Sequence, residues 1–147
     1  MSNPLLSDWT GAFGLAPFAE ISDADFAPAF ETALAEDLAE TLEIANDPQI
    51  PSFANTIEAL AATGKALHQV LSVFYTLSGA DSNAAREALM REFSPKLSAH
   101  SSEIYANKAL FGRIDRLWNG RANLGLSSDQ QRELMLTHRN FIPAGAA

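Results

Sequence analysis

The chain has 147 residues, no cysteine and a formal charge of −8, which suits one domain or a piece of a larger one. A chain of this length buries about two-thirds of its unfolded surface, so it needs no disulfide staples, and the absence of thiols fits a reducing compartment. Residues 1–64 hold eleven acids and no Lys or Arg, whereas residues 65–147 hold seven acids and ten bases; an acidic half with no basic stripe argues against a nucleic-acid partner.

Residues 3–21, "NPLLSDWTGAFGLAPFAEI", mix Gly, Pro and bulky apolar side chains without period. This reads as an irregular arm over residues 1–22. Leu5, Leu6, Trp9, Phe13 and Phe18 are too apolar for a free tail, so the arm is expected to lie against something. The N-terminus shows no basic segment followed by an apolar one, and no apolar run reaches spanning length. A soluble, cytoplasmic protein with no membrane partner is the expectation.

A helix is predicted from about Asp25, with Pro28 in its first turn, where a missing N–H costs no hydrogen bond. Phe26, Phe30, Leu34, Leu38 and Leu42 recur every four residues, while Glu31, Glu36, Glu40 and Glu43 occupy other faces. The scattered carboxylates read as a solvated face. The helix should end near "NDP" at 46–48.

"PSFANTIEAL" (51–60) opens the next element. Ser52 or Asn55 is suited to cap it, and Asn55 with Glu58 has capping-box spacing. One helix is predicted from about Asn55 to Leu77, with a packing seam through Ile57, Leu60, Leu67, Leu71 and Phe74. Gly64 lies on that seam and is expected to allow close approach by a neighbour. "SGADS" (78–82) supplies the stop and the next cap.

A third helix is predicted over about 82–93, carrying Ala85, Ala88, Leu89 and Phe93, with Pro95 stopping or kinking it and starting a fourth. That fourth helix holds Leu97, Ile104 and Tyr105. Asn107 is placed to cap a fifth, with a stripe of Leu110, Phe111, Ile114, Leu117 and Trp118 closed by Gly120. Ser127 and Gln130 have capping-box spacing for a last helix, which should end at Pro143 and Gly145. No stretch alternates in the manner of a strand. The expected fold is all-α, an antiparallel bundle of about five or six helices over residues 23–147, behind the arm.

Chemistry is sparse. The histidines are His68, His100 and His138, and none belongs to a zinc-peptidase or di-iron motif. His100 and Glu103 lie three apart on one helix, but a lone pair is more often an ordinary polar face than a metal site. His68 is expected partly buried and hydrogen-bonded beside the seam, and Tyr75 and Tyr105 are read as core or groove aromatics. No nucleophile elbow, phosphate loop or dinucleotide motif occurs. No residue is assigned to catalysis, cofactor binding or metal binding.

"PSFANTIEAL" resembles the Pro-x-Phe-x-Asn-Thr-Ile segment of the thimet-oligopeptidase-type zinc peptidases, the family that includes bacterial peptidyl-dipeptidase and oligopeptidase A. "PFAEISDADFAPAFETAL" (17–34) is similar to that family's first helix. "FSPKLSAHSSEIYANKALFGRI" (93–114) and "HRNFIPAGAA" (138–147) look like two later segments, in order and at matching spacing. The arm and first helix are most like peptidyl-dipeptidase.

The resemblance implies a role as N-terminal helices walling a deep channel that admits short peptides. The zinc ligands and the family's substrate-contacting residues have no counterpart here. The zinc is therefore expected in the full-length parent, and this chain alone is expected to be inactive. Dipeptidyl carboxypeptidase and endopeptidase activity of the parent both stay open, as does a free-standing helical interaction module. Weak homodimerisation through exposed apolar surface is expected, with Trp9, Phe13, Phe141 and Ile142 as its candidates.

Overall fold

Short polar side chains mark where the helices begin, because they take up amides that a first turn leaves without partners. In the computed structural model, which describes residues 3–80 and 82–141, Ser22 caps a short 3-10 turn, Asp23–Asp25, and its N–H donates to Asp25 at 2.8 Å. Helix α1 then runs over Phe26–Ala45 with Pro28 in its first turn. A π-helical turn, Phe53–Glu58, leads into a short α2, Ala59–Ala61. The remaining helices are α3, Lys65–Ala80, α4, Ala84–Tyr105, α5, Lys108–Asn119, and α6, Ser128–Phe141. The fold is all-α, with no strand among the described residues.

Two expected caps are present. Asn107 accepts from the Leu110 amide at 2.9 Å, and Gly120 closes α5. Ser127 and Gln130 form a reciprocal box at 2.9 and 3.2 Å. Two others are shifted. Before α2, Ser52 is the cap, as one of the two residues named for it, but its box partner is Asn55, so the box expected between Asn55 and Glu58 lies three residues early. The Arg86 amide at the head of α4 donates to Asn83 at 2.8 Å, one residue past the stretch expected to supply that cap. Pro143 and Gly145, named as the stop of the last helix, lie outside the described residues.

The chain divides into two units. The first comprises Met1–Asp37 with Gly64–Ser98. Its core is built from Phe26, Phe30, Phe74 and Phe93, with Val70, Val73 and the arm residue Leu5. Phe26 and Phe30 meet Phe74 edge-on at 5.2 and 5.6 Å, and Phe30 stacks on Phe93 at 4.8 Å, the arrangements that aromatic quadrupoles favour. The arm lies against this core as expected, through the buried Leu5 and the partly buried Leu6 and Trp9. Gln69 ties it down by donating to the carbonyls of Leu5 and Ser7, both at 2.9 Å. Phe13 is an exception, being 97% exposed, and Phe18 is exposed too.

Three expectations for this unit fail for identifiable reasons. Helices 55–77 are not continuous: Gly64 stands at φ 75° in a turn between α2 and α3. That conformation favours glycine, and a Cβ there would lie 2.9 Å from the Asp37 carboxylate. Close approach is therefore real, but it involves a turn rather than a helix seam. Second, α4 runs from Ala84 to Tyr105 through Pro95, so the stop and the separate fourth helix expected there are absent. An interior proline costs about 3 kcal/mol; here Phe93 stacks on Phe30 before it and Lys96 pairs with Glu31 after it, which holds both flanks on the helix. Third, His68 is exposed, and it is Gln69, the next residue, that turns inward.

The second unit comprises Leu38–Thr63 with Ala99–Ala147. Its core joins Ile44 of α1 and Ile57 of the π-turn to Leu110, Ile114 and Leu117 of α5, and to Leu134 and Phe141 of α6. The four-residue spacing read along α1 does not reach this core intact, since Leu42 is 39% exposed while Thr41 and Ile44 are buried. Steps of four overshoot 3.6 residues per turn by roughly 40° each, so four such steps carry Leu42 off the face that holds Phe26.

Candidate functional site

The polar groups of the second unit converge on Asn55 and Arg113. Ser52 stops the chain before the π-turn, and its N–H donates to Asn55 Oδ1 at 2.7 Å. The same oxygen accepts from the Thr56 hydroxyl at 2.8 Å and from Arg113 Nη2 at 3.0 Å. The Asn55 amide donates to the Ile50 carbonyl at 2.9 Å. Both ends of one side chain are thereby committed.

Arg113 comes from α5, where it lies between Leu110 and Ile114 on the inward face and is 7% exposed. Its Nη1 donates to the carbonyls of Asp47 and Gln49 at 2.7 and 3.0 Å, and the Asp47 carboxylate lies 3.7 Å from Nη2. A buried guanidinium needs such partners, because removing it from water is costly. The result pins the segment 47–55 at four points.

A second cluster joins α5 to α6. His138 Nε2 lies 2.8 Å from Asp115 Oδ1, and because a carboxylate only accepts, this nitrogen donates whenever Asp115 is ionised. The imidazole stacks against Trp118 at 5.1 Å and Phe111 at 5.6 Å. Phe111, Asp115 and Trp118 recur at helical spacing, which sets all three toward His138. Arg121 covers the Trp118 ring at 3.9 Å. The carboxylate fixes the ring's orientation, and the stacked aromatics limit approach to it.

Beside these clusters lies an open groove of about 150 Å³, walled by Ile57, Leu60 and Ala61 on one side and by Tyr105, Thr137 and Phe141 on the other. Tyr105 meets Phe141 edge-on at 5.1 Å, so it is a groove aromatic as expected. Tyr75 of the first unit is instead 55% exposed, although it touches Phe74 edge-on.

Zinc does not fit the side chains present. No group of three or more His, Asp or Glu that could hold a metal gathers among the described residues. His100 and Glu103 both lie on α4, His100 half-buried and Glu103 exposed, and two side chains fall short of the three or four ligands zinc takes. The residues that sequence reasoning missed are Arg113, Asp115 and His138. Arg113 had a visible signal, a cation inside the apolar stripe of α5. The Asp115–His138 pair, 23 residues apart in sequence, had none.

Three of the segments that carry the family resemblance meet in this unit: Asn55 from 51–60, Arg113 from 93–114 and Phe141 from 138–147. Along almost its whole length the chain resembles the bacterial dipeptidyl carboxypeptidases. It is 37% identical over 145 residues, 99% of its length, to dipeptidyl carboxypeptidase of Salmonella typhimurium. It is likewise 37% identical over 144 residues, 98% of its length, to dipeptidyl carboxypeptidase of Escherichia coli. The chain spans about a fifth of these relatives, 21% of each. No family model matches it.

Proposed function

We propose that this chain is a channel-wall portion of a zinc-dependent peptidyl-dipeptidase that removes dipeptides from the carboxyl ends of short peptides. The observation that carries the reading is the 37% identity to two dipeptidyl carboxypeptidases across 98–99% of the chain. Helices tied by Arg113 and Asn55 supply the stiffness such a wall needs, since a narrow cleft works only if its sides hold their shape. Zinc and the groups that attack the peptide would come from the part of the protein outside this chain. The setting is cytoplasmic, and the partners are short peptides, with neither nucleic acid nor membrane.

The test uses the chain and the whole gene product side by side. The whole protein is expected to release C-terminal dipeptides from N-blocked tetrapeptides, to lose this activity to a chelator and to regain it with zinc. The chain alone is expected to hydrolyse nothing. One zinc per chain, retained through dialysis, would overturn the assignment of the metal to another part.

A second reading, a free-standing helical interaction module, draws on the placement of Phe141. This residue was expected among the bare ones, yet it is buried in the core of the second unit at 1% exposure. Trp9 is also half-covered, which leaves Phe13 as the exposed candidate for weak homodimerisation; Ile142 lies outside the described residues. Sedimentation over a concentration series separates the readings. A dimer weakened by Phe13→Ser favours an exposed wall surface, and strict monomer behaviour favours the module.

A further inference from the structure

Two demands collide between Ser52 and Ile57. Asn55 has to face Arg113, while Thr56 and Ile57, the next two residues, are 0% and 2% exposed. In an α-helix each residue turns by roughly 100°, so three successive side chains spread over roughly 200° and cannot share one inward face. The chain meets both demands with a wider turn. The Ala59 N–H is shared between the Ala54 carbonyl, five residues back, and the Thr56 carbonyl, three back, where an α-helix would use the carbonyl of Asn55.

Turns of this kind are rare and have local causes. Here the cause is on one side of the turn. Every hydrogen bond described for Arg113 goes to residues 47–55, and its Nε, also buried, has no partner. The guanidinium therefore serves to hold that segment. We infer that the Asn55–Arg113 pair is a latch that sets the helical register of 53–61. Through that register it decides which faces of Ile57, Leu60 and Ala61 wall the groove opposite Tyr105 and Phe141. Without the latch the Ala59 N–H returns to the carbonyl of position 55. The residues before and after the turn then rotate against each other by about one residue, roughly 100°, and the groove wall is rebuilt.

The experiment is nuclear magnetic resonance on the 147-residue chain, reading the scalar coupling across the hydrogen bond of the Ala59 amide. In the parent this coupling is expected to the Ala54 carbonyl, shared with that of Thr56. In Arg113→Met and in Asn55→Ala it is expected to be lost there and to appear at position 55, with a shift of the Ala61 methyl signal as its facing rings change. Asn55→Asp keeps an oxygen acceptor for Ser52, Thr56 and Arg113 and should keep the parent coupling. Coupling that stays with Ala54 in both Arg113→Met and Asn55→Ala would overturn the inference. So would loss of the folded helical signal in Asn55→Ala, because the cluster would then be part of the core rather than a latch on register.

Discussion

In the first unit four phenylalanine rings fill the centre, whereas in the second the centre is aliphatic but for Phe141, and a guanidinium, Arg113, lies among its helices. The rings of Phe26, Phe30, Phe74 and Phe93 interact with whatever apolar surface meets them, so many packings satisfy them nearly as well. Arg113 accepts few solutions, since its donors must find the carbonyls of Asp47 and Gln49 and the amide oxygen of Asn55. One unit is held by bulk and the other by address. The difference teaches that an unusual backbone, the turn at Phe53–Glu58, sits where polar addressing is strongest.

The comparison breaks first if the aromatic centre is dispensable. Phe30 touches three other rings, and Phe30→Ala should destabilise by about 3–5 kcal/mol, the range for a buried aromatic whose cavity collapses only partly. Urea unfolding measures it, and a loss below that of Arg113→Met would invert the ranking of the two centres. Arg113→Met should cost about 2–3 kcal/mol, as charge-assisted hydrogen bonds are lost while the methylene packing stays. A neutral result would mean that the polar address adds nothing to stability and acts on geometry alone.

Gly64 sharpens the comparison at a turn of the first unit. Gly64→Ala should cost roughly 1–2 kcal/mol through its positive φ, and the Asp37 carboxylate must move besides, being 2.9 Å from the added carbon. Combined with Asp37→Ala, the remaining cost should be the backbone part only; thermal melts of the four proteins give that cycle.

The smallest effect belongs to the surface pair in the first unit. The Glu31 hydrogen bond, set against partial desolvation, raises the Lys96 ammonium above its ordinary value of 10.5. A raised cationic group contributes stability below the unfolded value and loses it as pH climbs past the folded one. Glu31→Gln should therefore melt lower than the parent at neutral pH and low salt, with the gap closing above pH 10.5 and in concentrated salt. A gap that survives high salt would show that Glu31 acts by packing.

Much of the helix plan was legible because local chemistry decides it. Asn107, Ser127 and Gln130 act on amides three residues away or less, so the sequence contains both partners of each bond. Pro95 and Gly64 were misjudged because their outcomes depend on residues far along the chain. Phe30 and Glu31 hold the helix across Pro95, and Asp37 stands against Gly64.

By itself the sequence determined an all-α chain, its main capping residues, its acidic first half and its likeness to the peptidyl-dipeptidases, since each rests on composition, short spacing or residue order. Tertiary structure alone decided the register of the π-turn, the partners of Arg113 and the joining of Asp115 to His138. The physical reason is distance along the chain. Arg113 meets Asn55 across 58 residues and His138 meets Asp115 across 23, and a directional hydrogen bond between such partners exists only once packing has placed the helices that carry them.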